Sequence, residues 1–398
     1  MALALEGIKI LTTALTSIAE FATMMLGDFG AEVIKIEPPG HMLGVGSGMS
    51  SSPTGERARQ EAAVKAVNRN KKSFTLNLKF EEGRRIFHQM AESADVVVEC
   101  FRPGVVKRLG IDYETISKIN PRIVYCSISG YGQDGPYRDR PGHDPNYIAI
   151  GGALGLIGER GSRPVLPLSL VGDWSGGTMH TTIGILMALM ARERTGKGQY
   201  VDISMTDGVV NLMLQYVQSY FETGIVPRIG EGGATAFPSY GVFETRDGKY
   251  ISIGCLEPKF WANLCRVMGR EDLSAPENAV ATGEWGEEIK NDFRRVFLTR
   301  TRDEWFAELG PQDICLAPVY ELDEVFTDPQ VLHRRMVVEV EGPDGTRARQ
   351  LGIALKLSDT PGQIRSLAPI LGENTDEMLL ALGYSRQDIK ALREKGVV

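Results

Sequence analysis

Cysteine and histidine are both scarce, with five of each among 398 residues. Cys100, Cys126, Cys255, Cys265 and Cys315 are widely scattered. They form no CxxC pair and show no metal-ligand spacing, so neither a disulfide framework nor a zinc module is encoded. The pattern reads as reduced thiols in a cytosolic enzyme. No apolar run approaches the ~18 residues that a membrane span needs. No basic stretch followed by a short apolar segment opens the chain. A cytoplasmic protein that does not enter a membrane is the expectation. An excess of positive charge is missing too: the formal net charge is −7. That argues against a general nucleic-acid binder and leaves room for a local basic patch. Internal repeats and low-complexity tracts are absent.

What remains is an ordinary globular composition, 42% hydrophobic and 24% charged, in a chain long enough for two domains. Short strands at 8–11 and 33–36 flank a helix over 17–29 that Gly30 stops. This βαβ unit favours a parallel sheet. Its first turn, Thr12-Thr13-Ala14-Leu15-Thr16-Ser17, is not GxGxxG, so the dinucleotide fingerprint is absent where it belongs. Residues 40–66 read as a surface loop able to cover a cleft. Strands follow at 73–78, 96–99, 123–128 and 201–203, alternating with helices at 81–94 and 177–194. A long helix runs to about residue 223. The apolar residues Met179, Ile183, Leu186, Met187 and Met190 fall at helical spacing and read as a stripe facing the core. The texture then changes. The flexible loop Gly230-Glu231-Gly232-Gly233 precedes a hairpin at 240–253 turning on Arg246-Asp247-Gly248-Lys249. Helices are expected at 258–268, 287–298 and 302–309. Strands at 337–341 and 350–355 around Pro343-Asp344-Gly345 and two terminal helices complete the chain. The expected division is a large domain over 1–224, a small domain over 225–325, and a return segment over 326–398 that packs on the large domain.

The residues with chemistry lie mostly at predicted strand ends. Arg69-Asn70-Lys71-Lys72, Arg102 with Lys107 and Arg108, and Arg138 with Arg140 are three basic clusters suited to a phosphorylated ligand. For any single basic residue, solvated surface is the plainer reading. Asp173, after Leu170-Val171-Gly172, stands just ahead of a helix at about Ser175. It is either an N-cap worth about 1 kcal/mol or a base or nucleophile. In the second case its substrate would lie over free backbone N–H groups that stabilise an oxyanion. His143, in Pro141-Gly142-His143-Asp144-Pro145-Asn146-Tyr147, sits on a loop, and its role stays open. Glu257 precedes a helix and reads on its own as a first-turn charge. His41, His88, His180 and His333 receive no role.

Several stretches together identify a resemblance. Gly27-Asp28-Phe29-Gly30-Ala31-Glu32-Val33-Ile34-Lys35-Ile36-Glu37, Asn68-Arg69-Asn70-Lys71-Lys72-Ser73, Phe101-Arg102-Pro103-Gly104-Val105, Ser129-Gly130-Tyr131-Gly132 and Thr195-Gly196-Lys197-Gly198-Gln199 resemble the family III CoA-transferases (CaiB/BaiF) over nearly the full length. Within that superfamily, Gly142-His143-Asp144, Leu170-Val171-Gly172-Asp173 and Leu256-Glu257-Pro258 look like the α-methylacyl-CoA racemase branch. The resemblance implies an α/β fold with a Rossmann-like parallel-sheet large domain and a smaller α+β domain. It implies an interlocked, threaded homodimer. It makes acyl-CoA the substrate, with no cofactor beyond coenzyme A and no metal.

The resemblance also implies roles. His143 and Asp173 would be the acid/base pair that inverts the α-carbon of a 2-methylacyl-CoA through an enolate. Glu257 of the partner chain would orient His143. Leu76, Asn77, Leu78, Lys79, Arg102 and Arg108 match positions that hold CoA. Gly142, Asp144 and Tyr147 line the acyl-thioester site. Two features look more like the transferases: Pro38-Pro39 replaces a basic residue, and the glycine loop at 230–233 resembles one that shields covalent intermediates. In that branch Asp173 would be a nucleophile, forming an aspartyl anhydride and then an aspartyl-CoA thioester. The racemase is the leading expectation and CoA transfer between an acyl-CoA and a free acid the alternative.

Overall fold

The computed structural model of the chain describes residues 2–40, 61–230, 233–342, 345 and 347–398. Most of the 40–66 loop, two residues of the 230–233 glycine loop and the Pro343-Asp344 turn lie outside the described residues. The chain forms two compact units. One comprises Met1–Ala153, Pro167–Leu214 and Arg335–Val398, the other Leu154–Leu166 and Gln215–Arg334.

The first unit is built on six strands: β1 (Lys9–Thr12), β2 (Glu32–Glu37), β3 (Lys71–Thr75), β4 (Val96–Glu99), β5 (Val124–Ser129) and β6 (Tyr200–Ser204). Their order is β3-β2-β1-β4-β5-β6 and every pairing is parallel. This is the doubly wound order of dinucleotide-binding sheets, whose connections reverse direction between β1 and β4. Alternation decides which face each side chain covers. Leu11, Ile34, Phe74, Val97 and Tyr125 pack with the helix Glu81–Ala91 on one face. Ile10, Val33, Val96, Val98, Val124 and Cys126 pack with residues of the helices Ser17–Asp28 and His180–Thr195 on the other. Burial on both faces explains why β4 reads Val-Val-Val rather than alternating.

The C-terminal segment closes the sheet's open edge. The N–H groups of Ser73 and Thr75 on β3 donate to Asn374 Oδ1 at 3.0 Å and Thr375 Oγ1 at 2.9 Å. An edge strand is thereby kept from pairing elsewhere. Leu379, Ile389, Leu392, Val397 and Val398 join the core on the same side.

The basic cluster Arg69-Asn70-Lys71-Lys72 lies at the amino end of β3, opposite to the edge where such sheets bind ligands. It is structural rather than phosphate-binding. Arg69 is buried and pairs with Asp28 at 2.7 Å. Asn70 Nδ2 donates to Asp28 Oδ1 at 2.7 Å and to the Gln363 carbonyl at 2.8 Å. Lys71 Nζ donates to the Glu20 carbonyl at 2.8 Å, and burial lowers its pKa to about 7. Only Lys72 of the four is half-exposed, and it pairs with Glu32.

The apolar stripe on the helix His180–Thr195 also faces the other way from expectation. Thr181, Ile185, Ala188, Leu189 and Arg192 are the buried residues. Ile183, Met187 and Met190 are 48%, 65% and 67% exposed. Apolar residues run around the whole helix, so spacing alone could not say which stripe met the sheet.

The second unit carries an antiparallel sheet of β7 (Tyr240–Glu244), β8 (Tyr250–Gly254) and β9 (Leu316–Val319). Its core centres on Trp261, Phe293, Phe297 and Trp305. β9 was not expected from sequence, and Pro318 lies within it. As an edge strand it tolerates the missing N–H. In the first unit β10 (Val337–Glu341) pairs with β11 (Arg347–Leu351), the latter a few residues earlier than expected.

Candidate active site

The carboxyl ends of β1 and β4 flank the switch point of the large sheet, where ligands of such folds bind. The chain brings four polar residues near it. Cys100 follows β4 directly and lies beside Thr16 from the turn after β1. Burial pushes its thiol up to about 11, with Glu99 and Asp173 adding to the rise. Asp173 and Tyr147 interact electrostatically with Cys100 and with each other. Cys100 was missed from sequence. Its place immediately after the fourth strand was the available signal.

His143 precedes the short helix Asp144–Ile150 as its N-cap and is exposed. Its backbone N–H donates to Asn146 Oδ1 at 3.0 Å, which fixes where the helix starts. Tyr147 is buried one turn on, and its hydroxyl donates to the Gly142 carbonyl. The ring meets Tyr131 edge-on at 5.3 Å. A methyl at Gly130 would stand 2.3 Å from the Tyr147 ring, and one at Gly142 2.6 Å. Glycine in both motifs is thus the room that Tyr147 occupies.

Asp173 lies inside a π-helical segment, Leu170–Met179, rather than ahead of a helix as expected. The wider turn is visible in the Trp174 N–H, which reaches back five residues to the Ser169 carbonyl at 3.2 Å. Such segments are uncommon and concentrate at functional sites. The N–H groups of Gly172 and Asp173 both donate to Asp144 Oδ1, at 2.8 and 2.9 Å. They are therefore not the free donors that a helix N-terminus would have offered a substrate. For the same reason the Asp144 carboxylate, 2% exposed, points inward. It does not line the open site.

Burial raises the Asp173 carboxyl to about 6, the Asp144 carboxylate adds to the rise, and His143 opposes it. A carboxylate of this kind is ionised at neutral pH yet more basic than free aspartate. It can serve as a base or as a nucleophile. His143, Tyr147 and Asp173 are thus brought into one site, with the Asp144 carboxylate buried behind Asp173. Glu257 is the exposed N-cap of the helix Pro258–Val267 in the second unit.

A basic patch also lies beyond β4. Gly104, at φ +82°, starts the helix Val105–Leu109. Arg108 Nη1 and Arg138 Nη2 reach to 3.7 and 4.0 Å of the point where a Gly104 methyl would lie. Arg102 is exposed and acts electrostatically on Tyr147. The paired guanidinium groups of Arg108 and Arg138 suit phosphate. At the end of β3 Leu76 is a core residue, 1% exposed, and the Asn77 N–H is taken by the Val397 carbonyl at 2.8 Å. Lys79 is exposed there. No cluster of three or more potential metal ligands occurs among the described residues, and no helix among them is long and apolar enough to cross a membrane.

Fold and site together define an α/β enzyme with a basic carboxylate at the switch point of its sheet. Residues 5–375 match the model of CoA-transferase family III, and the chain belongs to that family. It is 34% identical over 407 residues to the beta subunit of succinyl-CoA–L-malate CoA-transferase of Chloroflexus aurantiacus, covering 100% of this chain and 98% of that one. It is 32% identical over 400 residues to the human alpha-methylacyl-CoA racemase, covering 100% and 98%. With formyl-CoA:oxalate CoA-transferase of Escherichia coli it shares 32% over 428 residues, covering both chains fully. A solved CAIB/BAIF family protein from Brucella suis superposes with a TM-score of 0.80 at 29% identity, over 96% of this chain and 100% of that one. The relatives include both racemases and transferases.

Proposed function

We propose that the protein inverts the α-carbon of a 2-methyl-branched acyl-CoA. The observation that carries this reading is that His143 and Asp173, an imidazole and a carboxylate, share one site and act on one another electrostatically. Inversion by 1,1-proton transfer needs a base on one face of the carbon and an acid on the other. The thioester acidifies the α-proton, and the surroundings of Asp173 raise its basicity toward the task. Glu257 of a partner chain would orient His143. Arg102, Arg108 and Arg138 would take the phosphates of coenzyme A, and Lys79, exposed after β3, would be a further contact. The reaction calls for no metal and no cofactor beyond the CoA of the substrate. The assembly we propose is the interlocked homodimer, supported by the exposed stripe of Ile183, Met187 and Met190.

A second reading has its own support in the transferase relatives and in the same basic Asp173. In CoA transfer Asp173 attacks the thioester carbonyl and releases CoA as thiolate. The thiolate then attacks the aspartyl side of the mixed anhydride, giving aspartyl-CoA and freeing the first acid. The second acid's carboxylate attacks aspartyl-CoA and expels the thiolate, which attacks the acyl side of the new anhydride to give the product thioester and free Asp173.

One pair of measurements separates the two. Incubation of (2R)- and (2S)-methylacyl-CoA esters in heavy water should wash deuterium into the α-position. Hydroxylamine or borohydride added with acyl-CoA should leave Asp173 unmodified. Absence of exchange with every branched ester, together with an adduct at Asp173, would overturn epimerisation in favour of transfer.

A further inference from the structure

We propose that Asp144 is a positioning residue for Asp173: its buried carboxylate fixes the backbone of Gly172 and Asp173 and sets a second negative charge beside the acting group. The inference rests on the reading of Asp173 as the carboxylate that acts.

The contact is built by both sides. Asp144 Oδ1 accepts the Gly172 and Asp173 N–H groups at 2.8 and 2.9 Å. A methyl at Gly172 would stand 2.7 Å from that oxygen, so only glycine allows the approach. The two N–H donors and the first turn of the helix compensate the buried charge. Pro145 and Asn146, exposed on the same turn, leave the carboxylate free to face inward. This ties the turn that carries His143 to the segment that carries Asp173, across 29 residues of sequence.

The second consequence is electrostatic. Like charges at close range disfavour ionisation. Among the described residues, the groups that face Asp173 are His143, Asp144 and Tyr147 from one helix start and Cys100 from the end of β4. The helix Met205–Leu212 meets the π-helical segment with Gly208, and the helix Ser17–Asp28 meets it with Ile18 and Phe21. Those contacts bring no charge. Among the described residues, Asp144 is therefore the one carboxylate acting on Asp173 together with burial, and His143 the opposing group. Removing the Asp144 charge makes Asp173 a weaker base and a weaker nucleophile at neutral pH.

The test uses the full-length protein and two variants. Asp144→Asn keeps an oxygen for both N–H groups and removes the charge. Asp144→Ala removes both. Asp173 ionisation is read directly from 13C-aspartate NMR difference spectra against Asp173→Asn. Activity is read as the pH profile of kcat/KM. For Asp144→Asn the Asp173 midpoint should fall by about one pH unit, a tenfold change in proton affinity. The acid limb of the profile should fall by the same amount, kcat should drop and KM should hold. Asp144→Ala should lose more of kcat than Asp144→Asn, which thus serves as the conservative rescue. Should the alanine variant fail to fold, the asparagine variant carries the test. An unmoved NMR midpoint in Asp144→Asn overturns the inference. A midpoint that moves without the acid limb upholds the Asp144–Asp173 coupling and instead overturns the reading of Asp173 as the acting group.

Discussion

Gly208 lies against Gly176 with backbone touching backbone. A methyl on Gly208 would stand 2.4 Å from the Gly176 carbonyl oxygen, and one on Gly176 would stand 2.7 Å from the Met205 carbonyl. The helix Met205–Leu212 therefore locks the π-helical segment three residues beyond Asp173. No flexible side-chain end can yield, so Gly208→Ala must separate the two elements. Overpacking of this sort costs about 1–3 kcal/mol. The variant should unfold at lower urea concentration and turn over more slowly at concentrations where it is still folded. A wild-type midpoint together with a wild-type rate would contradict the packing described.

The pH dependence follows from Asp173. As base or nucleophile it acts ionised, so activity should fall by half as pH drops through about 6. For stability the sign is opposite to that of a salt-bridged acid. The folded pKa is raised above the unfolded one, so protonated Asp173 is the form that folding favours. Its favourable contribution is present below the unfolded value near 3.8 and is lost as pH rises through about 6. Asp173→Asn should therefore be inactive, and it should gain on the wild type in urea midpoint between pH 4 and pH 8. An equal difference at both pH values would exclude the raised ionisation.

The strands of the large sheet are legible from sequence because their buried runs are short, β-branched and punctuated by glycine. Val96, Val97 and Val98 could hardly be anything else. The hairpin β7–β8 was marked by Asp247-Gly248 at its turn, and Gly248 takes φ +70°. The π-helical segment was not legible: Gly172, Gly176 and Gly177 read as a loop before a helix. Their small size serves close approach to Asp144, Met205 and Ile18 instead. Of the site, Asp173 and His143 stood out by composition and setting. The inward turn of Asp144 did not, since a carboxylate beside histidine looks solvent-facing until its partners 28 and 29 residues away are known. The basic cluster at Arg69 misled for the same reason. Its partner Asp28 lies 41 residues back, and local charge says nothing about which end of a strand a residue occupies.

Asp28 and Arg69 give a stability prediction free of the active site. Asp28 accepts from Arg69 Nε at 3.1 Å and Nη2 at 2.7 Å, and from Asn70. Its own carbonyl takes the Gln363 N–H at 2.8 Å. Asp28→Ala strands a buried guanidinium, a loss of about 3–5 kcal/mol. The double variant Asp28→Ala/Arg69→Met should recover part of it, because no charge is then left unpaired. Thermal and urea unfolding of the three proteins measure the difference. A double variant as weak as Asp28→Ala would show that the pair's geometry matters more than the stranded charge.

The helix His180–Thr195 tests the assembly. Ile183, Met187 and Met190 recur at helical spacing on one exposed face, while Ile185, Ala188 and Leu189 fill the core on the other. A helix apolar all round belongs inside a protein or inside an assembly. If a second copy of the chain covers this face, Ile183→Glu with Met187→Glu buries two charges in the interface and should leave a monomer by light scattering at micromolar concentration. Because the substituted face is exposed within one chain, the monomer should keep its far-UV spectrum. Its turnover should also collapse if Glu257 acts on the partner's His143. A fully active monomer would remove both the homodimer and the shared role of Glu257 at once. An unchanged dimer would place its interface on another face.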